Sequence, residues 1–397
     1  MARILFTGAT GAFGSVLLAE LTEHGHDLIC LARAKDGLSA CERVYEAAKR
    51  YGADSNAISV ISGDVLEPHC GLLLRDRETW RGSIDMLLHC AASISFDAKD
   101  GARTRATNVG GVEQMLAMAD DLGILDIRHI STAYVAGDAD RFSEGDHYVL
   151  QCWRNIYEES KWFGETAVRE WALRDPTLRR YTILRPSIIV GSAKDGVTPS
   201  FDAYYGFFKP WDAAANAVRT RAYEARELAP DVSVAPDGTV TMPIAVHASH
   251  SSTLNLIQSD WLARIAADCI NLPPQNRVYH LVHPAPPKVA DVIRWSLAAL
   301  KIKGVSIVES EKEKRVVMAG QSKLAAGLQR RIDAVLNRYL PYVTHEPRFR
   351  MKAIVHDLNG QFTLPPPVDA AFLNRTLGYA LRTNWGSIEP VPTAHAA

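Results

Sequence analysis

The chain has 397 residues, with 44 Lys and Arg against 45 Asp and Glu and a formal net charge of −1, a balance that argues against general nucleic-acid binding through a basic surface. At this length, with 47% hydrophobic residues, it can bury a large core and divides naturally into a main domain and a smaller C-terminal lobe. No apolar run approaches the roughly 18 residues of a membrane span, no signal-peptide pattern precedes the first apolar run, and Cys30, Cys41, Cys70, Cys90, Cys152 and Cys269 form no C-x-x-C pair. A soluble, cytoplasmic protein with reduced thiols is therefore expected.

Arg3 to Phe6 (RILF) reads as a buried parallel strand, and Phe13 to Leu21 has helical spacing with Val16, Leu17 and Leu21 on one side. Between them lies Thr7-Gly8-Ala9-Thr10-Gly11-Ala12-Phe13-Gly14. In this strand-turn-helix setting Gly8 permits the tight turn, Gly11 lets the backbone approach a pyrophosphate, and Gly14 lets the helix pack on the strand, while the helix start offers free N–H groups. The turn predicts a dinucleotide site that includes Thr10, Ala12 and Phe13.

The second strand, Asp27 to Leu31, ends in Ala32-Arg33. An acidic residue there would bond the adenosine ribose and repel a 2′-phosphate; Arg33 does the reverse and favours NADP(H) over NAD. Lys35 and Arg43 are close enough in sequence to help, although each reads more simply as a solvated surface charge.

Alternation then continues. Ala57 to Ser62 reads as a strand ending at Gly63-Asp64-Val65, and Ile84 to Cys90 as one ending at Ala91-Ala92-Ser93. A helix follows from about Ala102 to Leu122, then a strand from Ile127 to Ser131. This β-α rhythm predicts an α/β, doubly wound parallel sheet with its ligand in the crevice outside the strand C-termini. Asp64 stands where it can bond the adenine amino group, and reads equally as a turn or capping residue.

Tyr157 and Lys161 are four apart in a helical segment, on one face. A phenol titrating near 10 is a poor proton donor, and a neighbouring cation is expected to lower that value and make it a usable general acid. Read blandly, the same spacing is a half-buried Tyr beside a snorkelling Lys. A third member raises the stakes: Ser131-Thr132, at the end of the fifth strand, supplies a hydroxyl that can share a carbonyl oxygen with the phenol.

Taken in order, TGATGAFG, GDV at 63–65, HCAAS at 89–93, Asn108 in NVGG, ISTAYVAG at 130–137, YEESK at 157–161 and LRPSIIVG at 184–191 resemble the extended short-chain dehydrogenase/reductase superfamily over roughly residues 1–300. Within it the chain is most similar to the thioester-reductase group, which includes fatty acyl-CoA reductases of the male-sterility type and the terminal reductase domains of peptide and polyketide synthases. The resemblance implies Tyr157 as acid and Lys161 as its tuning partner and holder of the nicotinamide ribose. It also implies Thr132, rather than Ser131, as the catalytic hydroxyl, Asn108 as support for the active-site helix, and Pro186-Ser187 beside the nicotinamide. It further implies NADPH-dependent reduction of an acyl thioester, carried on CoA or a carrier protein, to an aldehyde or on to an alcohol. Two alternatives stand beside it: an extended dehydrogenase or reductase acting on a ketone, alcohol or nucleotide sugar, and a non-catalytic dinucleotide sensor.

The expected organisation is a nucleotide-binding domain over 1–190, with sheet elements contributed from about 240–285, a mostly helical substrate lobe over 191–385, and a disordered tail over 386–397. Phe201, Tyr204, Tyr205, Phe207, Phe208 and Trp211 fit equally a pocket for an acyl chain and the core of the second lobe. His247 and His250 lack a third ligand, so no metal is expected. An amphipathic helix is predicted over 288–302. From Lys301 to Lys352 there are 12 Lys or Arg against 5 Asp or Glu, a surface that could meet a phosphopantetheine phosphate or an acidic carrier but reads more simply as a solvated helical face.

Overall fold

The computed structural model of the protein describes residues 1–388; of the expected tail over 386–397, residues 389–397 lie outside the described residues. Two compact units make up the chain: Met1–Ile189 with Ile257–Pro284 and Pro347–Pro365, and Val190–Leu256 with Ala285–Glu346 and the chain from Pro366 onward.

The first unit holds a seven-stranded, wholly parallel sheet of β1 (Arg3–Thr7), β2 (Asp27–Ala32), β3 (Ile58–Ser62), β4 (Met86–His89), β5 (Asp126–Ile130), β6 (Arg180–Pro186) and β7 (Arg277–Leu281). Their spatial order is β7-β6-β5-β4-β1-β2-β3. The order reverses between β1 and β4, and in such sheets ligands bind in the crevice at that switch point. Both faces are covered, which is why the strands read as unbroken apolar runs. Ile4 and Phe6 point into a layer with Leu17, Leu18 and Leu21 of α1 (Gly14–Glu23) and with Trp261, Leu262 and Ile265. Leu5 points into the opposite layer with Leu87, Ile127, Met115 and Trp171.

Local signals set the helix ends. Ser39 and Glu42 form a reciprocal cap at the start of α2 (Ala40–Tyr51), and Gly52 closes it in the left-handed conformation. Asn155 starts the helix Ile156–Leu173 by accepting from the Glu158 N–H at 3.0 Å. The helix expected over 102–122 is interrupted: α-helical turns over Gly101–Arg105 and Gly111–Leu122 flank a π-turn over Ala106–Gly110. Asn108 sits in that π-turn, a feature frequent at functional sites and invisible to a 3.6-residue pattern.

The smaller second unit is mainly helical, with helices Tyr204–Tyr223, Val289–Ala299, Lys323–Leu336 and Ala370–Arg382. Its aromatic run is core: Tyr204, Tyr205, Phe207, Phe208 and Trp211 are all buried. The two phenols find partners inside, Tyr204 with Ser296 at 2.8 Å and Tyr205 with Thr376 at 2.5 Å, as buried hydroxyls must. The helix predicted over 288–302 spans Val289–Ala299 and buries Val289, Val292, Ile293 and Leu297. His247 and His250 hold a loop, through the Glu309 carbonyl at 3.0 Å and the Glu309 carboxylate at 2.7 Å. Among the described residues no group of His, Cys, Asp or Glu could hold a metal, and no helix is long and apolar enough to cross a membrane.

Candidate active site

At the glycine turn, Gly11 N–H donates to the Gly8 carbonyl at 2.9 Å and Gly8 has φ +82°. A Cβ on Gly8 would lie 2.4 Å from the Ala91 nitrogen, and one on Gly14 would lie 2.1 Å from the Gly8 oxygen. Turn, helix start and the end of β4 are therefore packed so closely that only glycine fits. Gly11 and Ala12 are exposed while Phe13 is buried. The start of α1 carries no side-chain cap and no acidic residue in its first turn, so no carboxylate of its own neutralises the positive dipole end, which suits a pyrophosphate. At the end of β4, Ala91 is half-buried and Ala92 exposed.

Two arginines flank this turn. Arg33 Nη1 donates to Asp64 Oδ2 at 2.9 Å, and Asp64 Oδ1 accepts from Leu66 N at 3.1 Å. Of its two readings, the structure contains the turn, with Val65 buried behind it. Arg43 donates to the Arg33 carbonyl at 2.6 Å and to Thr10 Oγ1 at 2.9 Å. Read from sequence as a surface charge, Arg43 is brought across 33 residues onto the glycine turn because the capped α2 projects it there.

The acid/base residues meet at the ends of β4, β5 and β6. Tyr157 is half-buried, its phenol interacts with the Thr132 side chain, and its ring is tilted against Phe96 at 5.7 Å between ring centres. Thr132 Oγ1 also accepts from Tyr134 N at 3.3 Å and donates to the Pro186 carbonyl at 3.4 Å. Lys161, one turn along from Tyr157, is buried and donates to the Ile130 carbonyl at 2.7 Å. Asn108 ties the surroundings together: its Oδ1 accepts from Ser93 N at 2.8 Å, and its Nδ2 donates to the Ser93 carbonyl at 2.9 Å and to Ser160 Oγ at 3.0 Å. Ser187 Oγ is buried and, among the described residues, has no hydrogen-bond partner. An orphaned hydroxyl beside Pro186 suits a ligand amide. Glycine cradle, open helix start, paired arginines and orphaned Ser187 together fit a nicotinamide dinucleotide.

Electrostatics differ from the sequence expectation at one point. Burial pushes the Tyr157 phenol up to about 12, against the lowering effect of its bond with Thr132. Burial also pushes Lys161 down to about 8, opposed by Cys90 and Glu165. The Lys161 ammonium donates to the Ile130 carbonyl, and burial is the largest influence on both groups. Below the site, His89 and His129 stack at 5.4 Å on adjacent strands, both fully buried. Burial, with Lys161 adding to it, lowers His89 to about 3 and His129 well below its usual value, so both are neutral. Glu165 and Arg185 form a fully buried pair at 2.7 Å; burial favours the neutral acid, but Arg185, His147 and Arg169 overcome it and hold Glu165 ionised. His89 and Arg185 lie inside motifs read from the sequence, but their pairing with His129 and Glu165 escapes that reading because only the fold joins the partners.

The chain is similar to several known proteins. A family model described as Male sterility protein matches residues 6–226, more than half of the chain. Peramine synthetase ppzA of Metarhizium majus is 27% identical over 64% of this chain and 9% of its own length. Fatty acyl-CoA reductase wat of Drosophila melanogaster is 27% identical over 51% of this chain and 46% of its own length. The chain thus spans less than half of either curated relative. Among solved structures, the terminal R domain from the myxalamid PKS-NRPS biosynthetic pathway superposes with a TM-score of 0.72 at 21% identity, covering 98% of this chain and 93% of that one. With the switch-point sheet and the glycine cradle in place, the chain belongs to the male-sterility family of NAD-binding, reductase-type domains within the extended short-chain dehydrogenase/reductase fold.

Proposed function

We propose that the chain is an NADPH-dependent reductase of acyl thioesters presented on CoA or on a carrier protein. The observation that carries the reading is the convergence of the Tyr157 phenol and the Thr132 side chain at the end of β5, with Lys161 one helical turn away and held by the Ile130 carbonyl. The curated relatives support the substrate class, since one is by name a fatty acyl-CoA reductase and another a peramine synthetase.

The oxygen of an acyl carbonyl placed against Thr132 and Tyr157 would accept from the Tyr157 phenol, and from Thr132 once its hydroxyl proton turns away from the Pro186 carbonyl. When bound, the reduced nicotinamide supplies a hydride to the carbonyl carbon. Tyr157 then gives its proton to the developing alkoxide, for which a phenol held protonated by burial is in the right state at neutral pH. The resulting hemithioacetal loses its thiol by cleavage of the C–S bond, leaving an aldehyde. Lys161 holds the nicotinamide ribose and supplies positive charge when Tyr157 becomes a phenolate, and Asn108 fixes the helix that bears both. Gly8, Gly11, Gly14 and the first turn of α1 receive the pyrophosphate; Arg33 and Arg43 receive a 2′-phosphate, which is the basis for NADPH over NADH.

NADPH oxidation followed at 340 nm (approximate absorbance maximum of the reduced ring) with an acyl-CoA, an aldehyde and a simple ketone in parallel tests the reading. Turnover with the acyl-CoA and release of free thiol is the expected result. Turnover with the ketone alone would contradict it.

A further inference from the structure

A cavity of about 520 Å³ opens in the first unit at the outer edge of the sheet. Ser143, Glu144, Arg277, Arg350, Lys352 and Asp357 are among its lining residues. Arg277 is the first residue of β7, so this wall lies on the edge strand, at the opposite strand end from the nucleotide crevice and five strands from the β2 end that bears Arg33.

Its carboxylates are already engaged. Glu144 is buried and accepts from the backbone N–H groups of Ala353, Ile354 and His280 at 2.5, 3.1 and 3.2 Å. Asp357 accepts from the Tyr279 phenol at 2.8 Å and pairs with His356 at 2.7 Å and Arg277 at 3.2 Å. The cations are not so engaged. Among the described residues, Arg350 and Lys352 have no carboxylate partner, and both are exposed. Beside them, the short strands Arg141–Phe142 and Arg348–Phe349 pair in parallel with Arg141 directly opposite Arg348, both exposed and likewise without a carboxylate partner. Like charges placed opposite each other in a ladder repel. Two cations without a carboxylate partner, Arg350 and Lys352, thus line a concave site whose acids are bonded to the backbone and to their own partners, and Arg141 and Arg348 stand exposed on the strand pair next to it in the chain.

We propose that this cavity binds a phosphate ester, as a ligand site separate from the nucleotide crevice. Guanidinium groups match the paired oxygens of a phosphate, Lys352 adds a point charge, and the volume is large enough for a pyrophosphate or a phosphorylated nucleoside rather than a bare ion. The ligand is either a free phosphate metabolite or the phosphate-bearing end of a CoA-type carrier; the chemistry of recognition is the same. The proposal does not depend on the reductase reading.

Isothermal titration of the full chain with inorganic pyrophosphate tests it, using wild type, R350Q/K352Q and R33Q/R43Q. The second variant leaves the cavity intact and strips the cations of the nucleotide crevice. Saturable binding that weakens at least tenfold in R350Q/K352Q and survives in R33Q/R43Q is expected. No saturable binding in wild type, equal affinity in R350Q/K352Q, or loss confined to R33Q/R43Q would overturn the proposal. In the R33Q/R43Q background, adenosine 3′,5′-bisphosphate binding more tightly than pyrophosphate assigns the cavity to the CoA-type source, and the reverse order to a free phosphate metabolite. A loss of NADPH turnover in R33Q/R43Q concerns the reductase reading alone, so the two can fail separately.

Discussion

The Lys161 ammonium lies 2.7 Å from the carbonyl oxygen of Ile130, buried at the end of β5, and not on the phenol one turn before it. A backbone carbonyl thus holds the cation in place, while burial makes its charge costly.

That cost has a sign that can be measured. The Lys161 value falls from 10.5 to about 8 in the folded chain, a displacement worth about 3 kcal/mol against the folded state. Below pH 8 the penalty is complete; between about 8 and 10.5 the unfolded chain still binds the proton that the folded chain has released, so stability rises with pH. Lys161→Met is expected to abolish turnover and yet to be as stable as wild type or more so at pH 7, with the difference shrinking towards pH 10. Denaturant titrations of both proteins at pH 7 and 10 check this, and a variant more than about 1 kcal/mol less stable at pH 7 would contradict it.

On the proposed reading, Arg33 and Arg43 divide the work at the adenosine end. Arg43 is bonded to Thr10 and the Arg33 carbonyl, whereas Arg33 shares its guanidinium with Asp64. R33Q/R43Q is expected to weaken NADPH binding by about two orders of magnitude and NADH binding by much less. Asp64→Asn releases Arg33 and is expected to raise the preference for NADPH several-fold. Fluorescence titration with both nucleotides provides the measurement; an unchanged NADPH/NADH ratio in either variant would count against the assignment.

Asn108 joins β4, through Ser93, to the helix bearing Tyr157 and Lys161, through Ser160. Asn108→Ala leaves a buried N–H, a carbonyl and a hydroxyl short of partners, at a cost of about 2–3 kcal/mol. Turnover should fall with little change in KM, because the side chain orients the acid and does not touch the substrate. Denaturant melts and steady-state kinetics on the same preparation test both halves.

Much of this was legible in the chain. β1 and β2 declare themselves because a strand covered on both faces must be apolar at every position, as Ile4, Leu5 and Phe6 are. The turn from Gly8 to Gly14 is readable because its spacing is a steric demand, met in the structure as contacts that a Cβ would violate. What escaped has a different origin. The pairs Arg43–Thr10 and Arg33–Asp64 join residues 33 and 31 apart, which only the fold brings together. The π-turn at Asn108 breaks the period on which helix reading rests. The aromatic run from Phe201 to Trp211 has the composition of both a pocket and a core, and burial alone separates the two. Lys161 four residues after Tyr157 suggests a lowered phenol; burial, which spacing does not carry, leaves that phenol raised.

The central claim is that the Tyr157 phenol, set beside Thr132, delivers the proton during reduction. Single-turnover hydride transfer from NADPH to an acyl-CoA, measured in wild type and Tyr157→Phe with NADPH affinity determined alongside, addresses it most directly. The account predicts a loss of about a thousandfold in rate with NADPH affinity within about threefold of wild type; a Phe variant that transfers hydride at close to the wild-type rate would contradict it.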